Sequence, residues 1–488
     1  MNLVRILSIL LIILISILFP FGFISYLGNK FYYVLFTILS SYAILFSFRK
    51  DSIFFETFFS ILLWLGFWFK FTVQIAFMDS MFPEGFGYFD HKPESYDEVL
   101  LISSIAFFSF IIASYIRQFL LFTYYRLEQN LLINKNIVTN YKKNKRLLLS
   151  ILVFTLVIIS IINYKFSLFQ KGTVPDIVLP FSLNSLFNWL LMFGFASFFS
   201  VIIYFEFLIN NKNNKYLSLG FMENFISSIS SISRAMIFNG SAILFGFYRL
   251  QELRLKKINN RLIIKNFIIL FVLFAISLFI VSKIRQQNNF PVGHQVHSYI
   301  PTVENIDTSN IFKRNSTKVI NEIVLEINHI LFLIAGRWVG VDAMMAVQAI
   351  EDKNFNFFIK SFNEEFNFSN SFFENSIKGS FYEYPSKPKV YTVYVPGLIG
   401  FLYYSNSKLF IFFSIIFICL FCALIEKIAY KISKCNLIFS SLVGNVLAYR
   451  LAHFGYLPSN TYKILIAIAI NLLLMYLICY LLSKNNKQ

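Results

Sequence analysis

The sequence is poor in charged residues. Of its 488 residues only 14% are Asp, Glu, Lys or Arg, whereas 57% are hydrophobic and the mean hydropathy is +0.64. Soluble domains carry about 25% charged residues. The composition therefore excludes an ordinary soluble protein and predicts an integral membrane protein.

Acidic residues are the scarcer of the two signs. The chain has 25 Asp and Glu against 43 Lys and Arg, which gives a net charge of +18. A charge of this size can indicate nucleic-acid binding, but here the basic residues lie in short loops between apolar runs, as cytoplasmic loops of membrane proteins do. We therefore expect membrane lipids, and no nucleic acid, as partners.

Cysteine and histidine are also scarce. Cys419 and Cys422 have C-x-x-C spacing, but they lie inside the apolar run "FICLFCALI", and Cys435 and Cys479 lie in or beside the last apolar runs. Residues 293–297 read "GHQVH" without an accompanying carboxylate set. We expect packed or lipid-facing thiols and no metal site. Motifs for ATP, dinucleotides and serine hydrolases are absent from the sequence, so no cofactor is expected.

Long apolar runs are what the chain has in place of these features. About 20 apolar residues are needed to cross a bilayer as a helix. Ten runs meet this requirement, at 4–26, 31–48, 53–77, 99–123, 147–165, 184–208, 266–284, 408–426, 437–457 and 462–482. The sequence predicts an all-α polytopic integral membrane protein, mostly helical, with about 12 transmembrane crossings.

The remaining two crossings come from residues 216–248. Basic loops flank this segment on both sides, so the chain has to enter the membrane and return on the same side. A hairpin of two short helices satisfies this condition and brings Arg234 toward the extracytoplasmic face. The alternative is one tilted helix, which would place a strongly basic loop outside.

The chain divides into three regions on this topology. Residues 1–284 form a transmembrane bundle that includes the hairpin, 285–395 form one large extracytoplasmic loop, and 396–488 form the C-terminal transmembrane helices. Both termini are expected on the cytoplasmic side. Within the loop, residues 318–350 have helical spacing of apolar residues, and we expect helices at the membrane surface or packed over the bundle.

Arginines at membrane depth are the first functional signal. Charge at this depth is costly and usually marks a site. Arg234, Arg337 and Arg450 are predicted at the outer headgroup level, with His453 nearly one turn beyond Arg450 on the same face. Arg117 lies toward the inner end of its span, where snorkelling explains it. Because guanidinium groups bind phosphate bidentately, three such arginines predict a lipid-pyrophosphate site; interfacial anchoring is the alternative.

The chain resembles the Wzy-type bacterial O-antigen or oligosaccharide repeat-unit polymerases. One similarity is the architecture of about a dozen spans with one large late loop. Another is the segment "SSISRAMIFNGSAIL", which contains Arg234, and a third is the Gly-x-x-Gly exit of the loop within residues 392–413.

This resemblance implies a reaction and a place. The growing glycan on undecaprenyl pyrophosphate is transferred to a new lipid-linked repeat unit at the periplasmic face of the bacterial inner membrane, without nucleotide sugar or metal. The lipid-linked oligosaccharide is then the substrate, and a chain-length regulator a further partner. Arg234 matches the Ser-Arg arginine and would bind pyrophosphate, as would Arg337. His329 precedes Gly340 by the family's spacing, but the sequence after it does not match, so the base stays open.

The remaining candidates are expected to bind substrate. Aromatic rings stack on sugar faces, and polar side chains orient the acceptor hydroxyl. The substrate-binding candidates are Arg450, His453, Trp338, Tyr382, Glu383 and Tyr384.

Two other functions stay open at this point. A lipid-linked oligosaccharide flippase or other transporter would predict related halves and short loops, and we find no internal repeat. An O-antigen ligase would carry a histidine ahead of the Gly-x-x-Gly exit, and "SKPKVYTVYVPG" has none.

Overall fold

The computed structural model is a bundle of α-helices. It describes residues 3–78, 89–120, 135–180, 183–209, 215–233, 236–255, 260–287, 335–336, 338–365, 371–376, 394–434 and 436–484. No β-strand occurs among these residues. The predicted all-α class is confirmed.

Nine helices in the described part of the chain are long and apolar enough to cross a membrane. They are Ile6–Ser25, Lys30–Ser47, Phe54–Phe77, Pro93–Leu120, Val138–Phe166, Leu183–Ile209, Arg261–Arg285, Lys408–Ile432 and Pro458–Ile478. A multi-pass membrane protein is therefore supported, while the number of 12 crossings stays a prediction.

The element bounds give the labels used below. The helices are α1 (Leu3–Ser25), α2 (Lys30–Ser47), α3 (Phe54–Trp64), α4 (Lys70–Phe77), α5 (Pro93–Leu120), α6 (Lys135–Phe166), α7 (Leu183–Trp189), α8 (Phe195–Ile209), α9 (Lys215–Ser230), α10 (Met236–Leu255), α11 (Asn260–Gln287), α12 (Val341–Gln348), α13 (Phe355–Phe362), α14 (Phe372–Ser376), α15 (Gly397–Tyr403), α16 (Lys408–Ile432), α17 (Leu437–Ala452) and α18 (Tyr462–Lys484). A π-helical turn, Leu65–Phe69, joins α3 to α4, and Leu190–Gly194 joins α7 to α8.

Three spans begin at least six residues earlier than the apolar runs predict, and one of them is α11, which begins at Asn260 rather than at 266. Helix α5 begins at Pro93 rather than at 99, because Glu94, Asp97 and Glu98 lie in its first turns, where carboxylates favour the helix N-terminus. Helix α6 begins at Lys135 rather than at 147, so the basic stretch before the apolar run is helical as well. In these segments the helix continues past the end of the apolar run into the charged residues.

Two short helices occupy the 216–248 segment. Helices α9 and α10 pack against each other, and the chain reverses between Ser230 and Met236. Both also contact α8 and α11. The short apolar helix α17 packs between α3, α10 and α16 and is buried along most of its length.

Hydrogen bonds between helix termini define two ends of the bundle. At one end, called the loop end, Tyr26 Oη donates to Asp97 Oδ1 at 2.7 Å and Tyr403 Oη donates to Glu98 Oε1 at 2.6 Å. The described residues of the loop end are 26–29, 89–98, 167–180, 231–233, 336, 338–365, 371–376, 394–407 and 449–461. At the opposite end, Tyr204 Oη donates to Lys434 O at 3.0 Å.

A buried ion pair at the opposite end corrects one prediction. Arg117 is only 1% exposed, and its guanidinium donates two 2.8 Å hydrogen bonds to the Glu56 carboxylate and one of 2.9 Å to Asp51 O. The prediction that Arg117 snorkels to the cytoplasm is therefore wrong. A guanidinium fork on a carboxylate satisfies both charges inside the bundle, so the side chain does not have to reach water.

Cys419 and Cys422 are buried free thiols of α16. They are packed against the core rather than lipid-facing.

Candidate functional site at the loop end

Three of the predicted site residues belong to the described part of the chain. They are Arg450, His453 and Trp338, and all three lie at the loop end. The others lie outside the described residues: Arg234, Arg337, His329, Tyr382, Glu383 and Tyr384.

His453 stacks on Tyr449 at the end of α17. The helix ends at Ala452 and His453 is its C-cap, with its backbone N–H still donating to Tyr449 O at 3.0 Å. The imidazole lies 4.2 Å from the Tyr449 ring, nearly parallel to it, and His453 Nδ1 lies 3.0 Å from Tyr449 O. This geometry makes Nδ1 the donor and leaves Nε2 as the acceptor nitrogen. Arg450 is exposed.

Lys171 connects α17 to the hairpin. Its ammonium lies 5.4 Å from the centre of the Tyr449 ring, and its backbone N–H donates to Ser231 O at 2.9 Å. Phe238, near the start of α10, contacts the same Tyr449 ring at 4.8 Å. The loop after α6, the hairpin turn and the end of α17 therefore meet at one place.

The hairpin turn is held by donors from three segments. Asn163 Nδ2 donates to Ser230 O at 2.9 Å, the Lys171 N–H donates to Ser231 O, and Arg285 Nη2 donates to Ile232 O at 3.0 Å. Ile232 has φ +47°, a left-handed conformation that β-branched residues rarely adopt.

The strained conformation of Ile232 persists because its surroundings impose it. Ser233 N–H donates to Ser228 O at 2.9 Å, which closes the C-terminus of α9. The next residue in the sequence is Arg234. The turn therefore fixes the chain immediately before the arginine that carries the family resemblance.

The charges here are of one sign. Lys171, Arg285 and Arg450 form what we call the basic cluster, and the imidazole of His453 lies beside it; Arg285 Nη2 lies 3.5 Å from Lys171 O. Burial, with a smaller effect of the positive charges of Lys171 and Arg450, lowers the pKa of His453 to about 4, although the hydrogen bond to Tyr449 O acts in the opposite direction. The ion pairs formed within the described residues do not include Lys171 or Arg450. Clustered cations of this kind can bind an anionic group.

A second part of the site is the segment around Trp338. Lys70 of α4 forms an ion pair with Asp342 and donates to Gly336 O at 3.1 Å and to Trp338 O at 3.0 Å. Lys70 and Asp342 are 3% and 1% exposed. Asp342 is thus engaged in holding the segment, and is not placed as a catalytic base.

Two glycines let this segment enter the bundle. A Cβ on Gly66 would lie 2.1 Å from Val339 O, and a Cβ on Gly340 would lie 2.1 Å from Gly66 O. Gly66 belongs to the π-helical turn between α3 and α4, and such turns are frequent at functional sites. Helix α12, which follows, is almost fully buried, so this part of the loop packs into the bundle rather than lying at the membrane surface.

The Gly-x-x-Gly exit lies between the two parts. Gly397 has φ +70°, and a Cβ there would lie 3.1 Å from Ala452 O and 3.2 Å from Val339 Cγ1. Trp338 is half-buried against the core. The structure therefore brings the neighbours of Arg337 and of Arg450 to the same glycine.

Sequence reasoning missed Asn163, Lys171 and Arg285. Arg285 is the first residue of the predicted large loop, 285–395. The sequence does not single them out, because single polar residues inside or near the end of an apolar run are ordinary at membrane boundaries.

No protein family, curated protein or solved structure significantly matches this chain. Its own residues and their geometry are therefore what bear on its function.

Proposed function

We propose that the protein polymerises undecaprenyl-pyrophosphate-linked oligosaccharide repeat units into O-antigen or a related surface polysaccharide. The observation that carries the proposal is the basic cluster beside the hairpin turn that leads into Arg234. The loop end faces the periplasm in this proposal, and both termini face the cytoplasm of a bacterial cell.

The reaction needs charge stabilisation more than covalent help. The acceptor hydroxyl oxygen bonds to the anomeric carbon of the growing glycan while the bond from that carbon to the phosphate oxygen breaks. Undecaprenyl pyrophosphate leaves with the electron pair, and the hydroxyl proton passes to a base or to water. Lys171, Arg234, Arg337 and Arg450 stabilise the departing phosphates, because cations placed where charge develops lower the barrier.

His453 suits the acceptor side of this reaction. Its lowered pKa keeps the imidazole neutral at physiological pH, and the Nδ1 contact with Tyr449 O leaves Nε2 to accept a hydrogen bond. Trp338, Tyr382 and Tyr384 offer sugar-stacking rings, and Glu383 a polar partner, in the same proposal.

A deletion in the native cell tests the function and separates the alternatives. Loss of a polymerase leaves surface glycan as single repeat units. Loss of a flippase leaves lipid-linked units on the cytoplasmic leaflet, and loss of a ligase leaves long polymer on the carrier lipid. Polymer of unchanged length on its normal acceptor would contradict the proposal. Complementation with the intact gene controls for effects on neighbouring genes.

Purified protein gives the direct test. In proteoliposomes containing a lipid-linked repeat unit, we expect a ladder of glycan lengths without added nucleotide sugar, and only the input unit with the R234A variant. R261A is the matched control, since Arg261 lies in the first turn of α11 at the opposite end of the bundle.

A further inference from the structure

Helix α13 carries an exposed apolar stripe outside the membrane-spanning helices. Phe355, Ile359 and Phe362 are 53%, 44% and 43% exposed. Their spacing is i, i+4 and i+7, which places all three on one face of a helix. An apolar stripe of this kind on a charged, water-facing loop would be unfavourable, so its surroundings need to be identified.

The other apolar face of α13 fixes its orientation. The Phe357 ring lies 5.1 Å from both Phe372 and Tyr404. The Phe358 ring lies 5.2 Å from Phe401 and 5.1 Å from Phe410. These contacts anchor the helix on the bundle, so it cannot turn the exposed stripe inward without losing them.

The helix therefore has three sectors. Asn356 and Lys360 are exposed and share the polar sector, which at about 100° per residue lies beside the exposed apolar stripe. Ser361 is buried with the core sector, and its Oγ donates to Phe358 O at 2.7 Å. One side faces protein, one suits water, and one is apolar with no described residue covering it.

The apolar sector is continuous with a surface that faces lipid. The Phe355 ring lies 5.6 Å from Phe410, the third residue of the membrane-spanning helix α16. The outward stripe of α16 begins in the same place: Leu409, Phe413 and Phe417 are 71%, 64% and 70% exposed. Because α13 lies at the very end of this span, its apolar stripe is at the depth of the membrane interface.

We propose that α13 is an interfacial helix that inserts Phe355, Ile359 and Phe362 into the lipid leaflet at the loop end, with Asn356 and Lys360 at the water side. The partner is the lipid surface itself, and the inference holds whatever reaction the protein catalyses. Glu364, two residues after the helix, accepts hydrogen bonds from Phe372 N and Leu457 N. Because Glu364 connects the end of α13 to the start of α14 and to Leu457, insertion of α13 also holds these neighbouring segments at the membrane surface.

Spin labels on neighbouring residues test the insertion in the full chain. Ile359→Cys and Lys360→Cys are made in a variant whose four cysteines are replaced by alanine, labelled with a nitroxide and reconstituted in phosphatidylcholine nanodiscs. Collisions with oxygen, which concentrates in lipid, are compared with those with a water-soluble nickel chelate. Both positions are exposed in the structure, so burial in protein does not distinguish them.

We expect a several-fold higher oxygen-to-nickel ratio for I359C than for K360C, close to that of a lipid-facing F413C reference. Equal nickel accessibility at the two positions would show that the stripe lies in water and would overturn the proposal. Spin–spin broadening at I359C that disappears on dilution with unlabelled protein would assign the stripe to a second copy, which also overturns it. The same pair is repeated with F355C and N356C, and only variants that elute as the parent does are compared.

Discussion

At the scale of single residues, the ammonium group of Lys171 can be removed without removing the backbone hydrogen bond that this residue contributes to the fold. Its backbone N–H holds Ser231 O, and its ammonium lies over the Tyr449 ring, so side-chain truncation removes the charge and keeps the turn bond. A hydrogen bond to a charged group contributes about 1.5–3 kcal/mol. We expect K171A to slow glycan extension by roughly 10- to 100-fold, since about 1.4 kcal/mol is tenfold in rate. K165A, on the exposed end of α6, should extend glycan as the parent does; equal rates for both variants would remove Lys171 from the site.

The Lys70–Asp342 pair is a structural feature with a measurable signature. Removing one member of a buried ion pair leaves an uncompensated charge and costs about 3–5 kcal/mol. We expect K70M and D342L each to lower the free energy of unfolding by that order, and the double variant to lose much less than the sum. Thermal unfolding in detergent measures all three. Additive losses would mean that the two side chains do not stabilise each other.

At the scale of helices and turns, the two π-helical turns differ in the space that surrounds their glycines. The methyl group of G66A would collide with Val339 O, and a backbone neighbour cannot rotate away. We expect a loss of about 1–3 kcal/mol or more, with faster hydrogen exchange across residues 338–348. G194A is the matched control in the other π-helical turn, where the nearest atom to an added Cβ is Leu190 Cδ2 at 3.3 Å, and it should be close to neutral. Similar exchange in both variants would contradict the insertion of this segment.

The carboxylates that hold the α13–α14 region give it a pH dependence. Burial raises the pKa of Glu364 and of Glu374 above the ordinary value, although backbone N–H donors act in the opposite direction. A raised pKa means that each carboxylate binds its proton more tightly when the α13–α14 region is packed on the bundle, which we call the closed state, than when this region detaches locally, the open state. Closure is therefore strengthened as pH falls through the folded-state pKa and weakened as pH rises above it.

Hydrogen exchange of residues 355–365 and 371–376, corrected for the intrinsic rate, is expected to show more protection at pH 5 than at pH 7.5. E364Q should reduce this difference, because one of the two titrating groups is removed. Greater protection at the higher pH would reverse the assigned direction.

Elements differ in how far the sequence predicts them. A span is a local signal of about 20 apolar residues, so the nine long helices follow from composition along the chain. The inserted segment around Gly340 does not, because its burial depends on Lys70 and Gly66 in a distant part of the sequence. The same holds for Arg285: a cation after an apolar run is typical of a membrane boundary, and its bond to Ile232 O exists only in the folded hairpin.

At the scale of the whole molecule, whether α17 crosses the membrane determines whether the two ends of the bundle face opposite sides. It has 16 residues and a length of about 24 Å, short of the roughly 30 Å of a hydrocarbon core. It is surrounded by α3, α8, α10 and α16 rather than by lipid, so its length does not have to match the bilayer. Lys434 precedes α17 at the opposite end of the bundle, and Ser459 follows it at the loop end. Both residues are exposed.

If α17 crosses, these two positions lie on opposite sides of the membrane. In the variant without native cysteines, we expect S459C to react with a membrane-impermeant maleimide in cells whose outer membrane alone is permeabilised. K434C should react only after the inner membrane is opened. Reaction of both positions from outside would show that α17 does not cross, and the reverse pattern would place the basic cluster in the cytoplasm. Since the carrier-linked glycan of the proposed reaction is periplasmic, that second outcome would also exclude the polymerase.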